Sequence, residues 1–156
     1  MSWQPEVDDL RRRQKLALNL GGPDKVARHR ANGKMTVRER LDAILDPGSF
    51  QEIGSISGFP TYDADGNLTD FTPANVLCGH ARIDGRTVCV TGDDFTVRGG
   101  ANDGGLREKF AMAETQARRW RVPLIRLVDG TGGGGSVKHL ETIGRTPHVR
   151  INRLFG

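Results

Sequence analysis

An α/β fold follows from three features of the chain. The apolar run over residues 122–128, broken only by Arg126, has the composition of a strand buried on both faces of a parallel sheet. Leu106, Phe110, Ala113, Ala117 and Trp120 recur at spacings of 4, 3, 4 and 3, which is one face of a helix. Two glycine-rich loops, over residues 93–105 and 129–135, each follow an apolar segment and lead into a helical pattern. That is the punctuation of strand–loop–helix units.

The elements before this region read in order. Residues 6–20 are basic and helical, with Val7, Leu10, Ala17 and Leu18 on a weak apolar stripe, and Gly21-Gly22-Pro23 ends them. Asp24 is positioned to cap a short helix to Arg30, closed by Asn32-Gly33. Thr36-Val37-Arg38-Glu39 has the form of a capping box, in which Thr36 bonds the Glu39 amide and Glu39 reaches back. Leu41, Ile44 and Leu45 supply the buried face of that helix, and Asp46-Pro47-Gly48 stops it. Residues 50–58 read as extended. Residues 62–72, with a turn at Asp65-Gly66-Asn67, read as a polar surface excursion. Residues 76–83 and 86–91 flank Asp84-Gly85, a type I′ hairpin signal that sets His80 opposite Cys89. Val137, Leu140 and Ile143 suggest a last helix, ended near Pro147. The organisation is thus a helical segment over 1–50 followed by an α/β domain over 51–156.

Bulk properties bound the function. A chain of 156 residues with 36% hydrophobic and 27% charged residues is long enough to bury a core, and its balance is that of a soluble globular protein. The net charge of +4 favours anionic partners, only mildly because the two signs are interspersed. No segment approaches the ~20 apolar residues that span a bilayer, and residues 1–20 lack an apolar signal core, so a cytoplasmic protein without membrane contact is expected. Cys78 and Cys89 match no zinc spacing and read as small buried hydrophobes; no metal is expected.

The glycines admit three readings. Residues 130–135 satisfy G-x-G-x-x-G by letter. However, Asp129 would repel a pyrophosphate, and no acid stands about 20 residues further on to hold a ribose. No Gly-Lys-Ser/Thr occurs, so a Walker loop fails. A second reading is structural: the glycines permit tight strand-to-helix turns. A third is an oxyanion hole, in which unpaired amides at a helix N-terminus, aided by its dipole, polarise a thioester carbonyl and stabilise its enolate. Ser136 and His139 share a helix face but lack a G-x-S-x-G setting, and read as a solvated helix start.

Three ordered motifs then carry a family resemblance. ANGKMTVRERLDAILDPGSFQEIG over 31–54, GHARIDGRTVCVTGDDFTVRGG over 79–100 and RVPLIRLVDGTGG over 121–133 resemble the carboxyltransferase (β) subunits of biotin-dependent acyl-CoA carboxylases, of the propionyl-CoA and acetyl-CoA carboxylase type. The resemblance implies a crotonase-like ββα superhelix, here a partial N-terminal half-domain preceded by helices. It implies transfer of a carboxyl group from carboxybiotin to the α-carbon of an acyl-CoA. The biotin is carried by a biotin carboxylase or carboxyl carrier partner, and carboxybiotin reaches the site from a C-terminal domain, often of a neighbouring subunit. A homo-oligomer is expected, with no nucleic-acid partner. By motif match the oxyanion glycines fall on Gly132 and Gly133, with Gly99, Gly100 and Ala101 lining the facing CoA loop. For the CoA phosphates, Arg98 is the first cationic candidate and Lys34 and Arg38 the second. Asp129 is expected to bond loop amides rather than act as a base.

Two departures stand out. The family's D-S-G-G-A-R is replaced by Asp129-Gly130-Thr131-Gly132-Gly133-Gly134-Gly135, without the arginine, though Lys138 follows. Family chains are also much longer, so a partial chain, inactive alone, is expected. The alternatives are a non-catalytic anion- or nucleotide-binding assembly module, or a biotin-dependent acyl-CoA decarboxylase or transcarboxylase running the same enolate chemistry.

Overall fold

The computed structural model describes residues 2–101 and 107–130. Its elements are α1 (Gln4–Ala17), α2 (Pro23–Ala31), α3 (Val37–Ile44), β1 (Gln51–Glu52), β2 (Gly58–Tyr62), β3 (Leu68–Pro73), β4 (Val76–Ile83), β5 (Arg86–Asp93), a 3-10 turn (Arg98–Gly100), α4 (Arg107–Trp120) and β6 (Leu124–Leu127). The helix expected from Val137 lies outside the described residues.

A four-stranded sheet in the order β1-β4-β5-β6 forms the centre. β4 pairs antiparallel with β1 on one side and with β5 on the other, whereas β5 and β6 run parallel, joined through α4. The period-2 alternation of strands sorts the side chains onto two faces. Leu77, Ala81, Val88 and Val90 point to one side, where Leu20, Val37, Leu41 and Leu45 cover them. Cys78 and His80 point to the other. There His80 meets the Trp120 ring edge-on at 5.1 Å, and α4 buries Ala113 and Ala117. Both cysteines are free and buried, and His80 faces Cys89 as the hairpin register requires. At the turn, Asp84 and Gly85 take φ values of 49° and 75°, and the Asp46 carboxylate accepts both of their amide protons at 2.9 and 2.8 Å. The Asp46-Pro47-Gly48 helix stop thereby also anchors the hairpin.

The Thr36–Glu39 capping box forms as expected: Thr36 Oγ1 accepts from the Glu39 amide, and Glu39 Oε2 accepts from the Thr36 amide at 2.7 Å. Other expectations are corrected. Asp24 does not cap α2; Gly22 occupies that position with Pro23 following, where the missing N–H costs nothing. Ile44 is 38% exposed, because the helix face that meets the sheet is set by Val37, Leu41 and Leu45. The extended segment over 50–58 pairs at Gln51–Glu52 and again at Gly58, where β2 begins. The polar excursion is a two-stranded antiparallel ribbon, β2–β3, with Arg12 of α1 donating to the Leu68 carbonyl.

Candidate functional site

Parallel pairing of β5 with β6, with Gly92 opposite Leu127, brings the ends of both strands to one side of the sheet. The two glycine loops therefore leave from neighbouring points, the end at which open α/β sheets bind ligands. They touch. Arg98, Gly99 and Gly100 take successive φ values of 53°, 65° and 64°, turning the first loop toward the second. A Cβ on Gly100 would lie 2.4 Å from the Asp129 carbonyl oxygen, and one on Gly130 would lie 2.9 Å from the Gly100 carbonyl oxygen. Gly100 and Gly130 are thus needed for backbone to lie against backbone. The Asp129 amide donates to Asp93 Oδ2 at 3.2 Å, tying the end of β6 to that of β5.

The first loop is braced internally. Asp94, 1% exposed, accepts at Oδ1 from the amide and hydroxyl of Thr96, at 2.9 and 2.6 Å. Thr96 Oγ1 in turn accepts from the Gly21 amide at 2.9 Å. Burial pushes the Asp94 carboxyl above the usual range, with the Thr96 bonds opposing it. The Gly100 and Ala101 amides donate back to Val97 and Arg98 within the turn, at 3.1 and 3.3 Å. Asn75 Nδ2 holds the Ala101 carbonyl.

The expected site residues fall in different places. Gly99 and Arg98 line a cleft of about 310 Å³ with Lys25, Arg28, His29, Asn32, Phe95 and Thr96. Gly100 and Ala101 are not among the lining residues; Gly100 packs against the second loop instead. Lys34 sits at the loop junction, with Nζ 3.2 Å from Asp129 Oδ1 and 4.6 Å from the centroid of Phe95. Arg38 is elsewhere: it pairs with Glu52 at 2.9 Å, and the other Glu52 oxygen lies 3.9 Å from the buried Lys109 Nζ. Gly132 and Gly133 lie outside the described residues. Among the described residues the Asp129 carboxylate takes side-chain cations, Lys34 foremost; the amides of residues 131–135 with which it was expected to bond lie outside them.

Lys25, Arg28, His29 and Phe95 were not singled out from sequence. Lys25 and Arg28 stand one helical turn apart on α2, so one face of that helix carries both charges. With Arg98 they give the cleft a surplus of positive charge suited to phosphate. A second cleft of about 370 Å³ lies at the Asp84–Gly85 end of the hairpin, lined by Asp46, His80, Arg82 and Thr87. It is the length of a strand away from the glycine loops. Among the described residues no group of acidic, histidine or cysteine side chains is arranged to hold a metal, and no helix is long and apolar enough to cross a membrane.

Comparison with known proteins matches this arrangement. Residues 28–148 match the family described as the carboxyl transferase domain. The carboxyltransferase subunit of propionyl-CoA carboxylase from Haloferax mediterranei is 36% identical over 132 residues, covering 85% of this chain and 26% of that protein. Methylmalonyl-CoA decarboxylase subunit alpha from Propionigenium modestum is 32% identical over 128 residues, covering 81% and 25%. The solved structure of transcarboxylase 12S, a hexamer with methylmalonyl-coenzyme A bound, superposes with a TM-score of 0.72 at 27% identity, covering 92% of this chain and 29% of that one. The chain thus spans about a quarter of the length of the curated relatives it matches. The crotonase-like α/β architecture expected from the motifs is that of these structural neighbours. With the family model covering most of its length and both glycine loops meeting at one end of the sheet, the chain belongs to the carboxyl transferase domain family.

Proposed function

We propose that this chain holds the acyl-CoA in a biotin-dependent acyl-CoA carboxylase and polarises its thioester for carboxylation. The observation that carries this reading is the contact between the two glycine loops, Gly100 against Asp129 and Gly130, beside a cationic cleft. Lys25, Arg28 and Arg98 engage the CoA phosphates, where guanidinium and ammonium groups form charge-assisted bonds. The thioester then lies toward the loop junction. Amides of the second loop, at Gly132 and Gly133 by motif match, would receive the carbonyl oxygen and stabilise the negative charge it gains as the α-proton passes to the biotin nitrogen that gives up the carboxyl group. Carboxybiotin, carried by a partner, supplies the carboxyl group that the α-carbon takes up. The chain acts within a homo-oligomer, as the hexameric transcarboxylase neighbour does.

Isothermal titration tests this reading. Propionyl-CoA should bind, with affinity falling as salt is raised. No heat at millimolar ligand would rule the reading out.

A second reading rests on the first loop. Its Gly100 and Ala101 amides are bonded within the turn, as a purely anion-binding assembly module would have them. In that case CoA and acyl-CoA bind equally, and no thioester polarisation shows in the carbonyl infrared band. The decarboxylase and transcarboxylase relatives share the same enolate, so the direction of carboxyl flow is read from product analysis and not from this half of the site.

A further inference from the structure

We propose that Asp129 is a positioning residue with two effects: it clamps the junction of the glycine loops to the helical layer, and it masks the charge of Lys34 from the neighbouring anion cleft. The proposal rests on the acyl-CoA reading above.

Asp129 is held from several directions. Its carboxylate, 21% exposed, receives Lys34 Nζ at 3.2 Å on Oδ1. His29 Nε2 lies 3.7 Å and Arg40 NH1 4.0 Å from Oδ2. Arg40 NH2 also donates to the Val128 carbonyl at 3.4 Å, and the Asp129 amide is held by Asp93. These partners come from α2, from the turn after it, from α3 and from the end of β5. The residue whose carbonyl Gly100 packs against is therefore bonded to Lys34 and Asp93, with Arg40 and His29 (whose Nε2 also lies 3.1 Å from the Met35 carbonyl) close by. The origin of the second loop, at Asp129 and Gly130, is thereby held in place, and electrostatic stabilisation of a developing oxyanion depends on such fixed positions.

The second effect concerns charge. Lys34 lies over Phe95, and Phe95 lines the cleft that holds Lys25, Arg28 and Arg98. Paired with Asp129, Lys34 adds little to the potential there. Without that carboxylate it adds a full unit charge within a Debye length of a bound phosphate. Loss of Asp129 should therefore separate two quantities that an ordinary structural lesion lowers together: turnover falls while CoA affinity rises.

The test uses the enzyme assembled with its biotin-carrying partner, and compares Asp129→Asn, Lys34→Gln and the double variant. In Asp129→Asn, kcat with propionyl-CoA should fall at least about tenfold. CoA itself, titrated at low salt, should bind about threefold tighter, a gain absent from the double variant. CoA binding equal to or weaker than wild type would overturn the masking, and unchanged kcat would overturn the clamp. Should Asp129→Asn fail to fold, Lys34→Gln carries the test: kcat falls, and CoA affinity drops by no more than about threefold, because the unmasked Asp129 carboxylate mirrors the gain expected in Asp129→Asn. A tenfold loss of affinity there would make Lys34 a direct phosphate ligand and overturn the proposal. If the wild-type enzyme neither binds CoA nor turns over, the acyl-CoA reading fails. Hydrogen exchange across residues 124–130 then decides the clamp alone, supported by faster exchange in Asp129→Asn and overturned by no change.

Discussion

Gly100 backs directly onto Asp129: a methyl group on its α-carbon would lie 2.4 Å from the Asp129 carbonyl oxygen, at a φ of 64°. Gly100→Ala meets both penalties. The left-handed backbone costs about 1 kcal/mol, and the overlap with rigid backbone adds about 1–3 kcal/mol. Urea unfolding should show a loss of about 2–4 kcal/mol, with weaker propionyl-CoA binding by the folded fraction. Gly66→Ala is the control. Its φ of 84° is similar but nothing lies within 4 Å, so about 1 kcal/mol is expected and binding stays unchanged. Equal losses at the two positions would refute close loop packing at Gly100.

The cationic cleft makes a second prediction. Lys25→Ala with Arg28→Ala should raise the dissociation constant for CoA about tenfold or more at low salt, and flatten its dependence on salt. Both residues are exposed on α2, so the melting temperature should move little. An affinity unchanged at low salt would remove the phosphate role from this cleft.

The capping box gives a pH prediction. The Glu39 carboxyl is held down to about 2, from an ordinary 4.5, first by the Thr36 amide and then by Arg30 and the Thr36 hydroxyl. Its folded value is depressed, so the stability it confers is present above about 4.5 and is lost as pH falls toward 2. Glu39→Gln should lower stability at pH 7 and flatten the acid limb of the stability curve in that window. Chemical denaturation between pH 2 and 7 checks this, and a parallel acid limb in the variant would count against it.

The interior charges form a fourth test case. Lys109 is 5% exposed, and burial pushes its pKa below 10.5 against the pull of Glu52. Because the unfolded chain holds this proton more tightly, stability should rise as pH climbs from the lowered value toward 10.5. Lys109→Met removes that rise and, with Arg38 still satisfying Glu52, costs within about 1 kcal/mol at pH 7. Glu52→Gln leaves two cations without their carboxylate and should cost about 3–5 kcal/mol. If Glu52→Gln proves the milder change, the pairing at Glu52 is not what holds these charges inside.

Local signals explain what could be read in the chain beforehand. The Asp84-Gly85 hairpin, its register and the Thr36–Glu39 box each depend on residues within a few positions of one another, and all form as expected. The β2–β3 ribbon was missed because β2 is largely exposed on both faces and shows no alternation. The cationic cleft is not legible in the sequence for another reason. Lys25 and Arg28 sit far in sequence from Phe95 and Arg98, and only the packing of α2 over the first loop makes them neighbours. Lys34 stands just before the capping box and Arg38 within it, yet the chain turns them to different partners, Asp129 and Glu52. Helix phase and tertiary packing decide that, and a single sequence does not display them.

The parallel pairing of β5 with β6 has one more consequence. Neighbouring strands sit about 4.8 Å apart whatever their side chains, so the spacing between the two loop origins is a property of the hydrogen-bond ladder and not of the loops. Substitutions further along the loops leave that span unchanged. On the acyl-CoA reading, differences in substrate would be written in the loops, while the ruler between their origins stays the same.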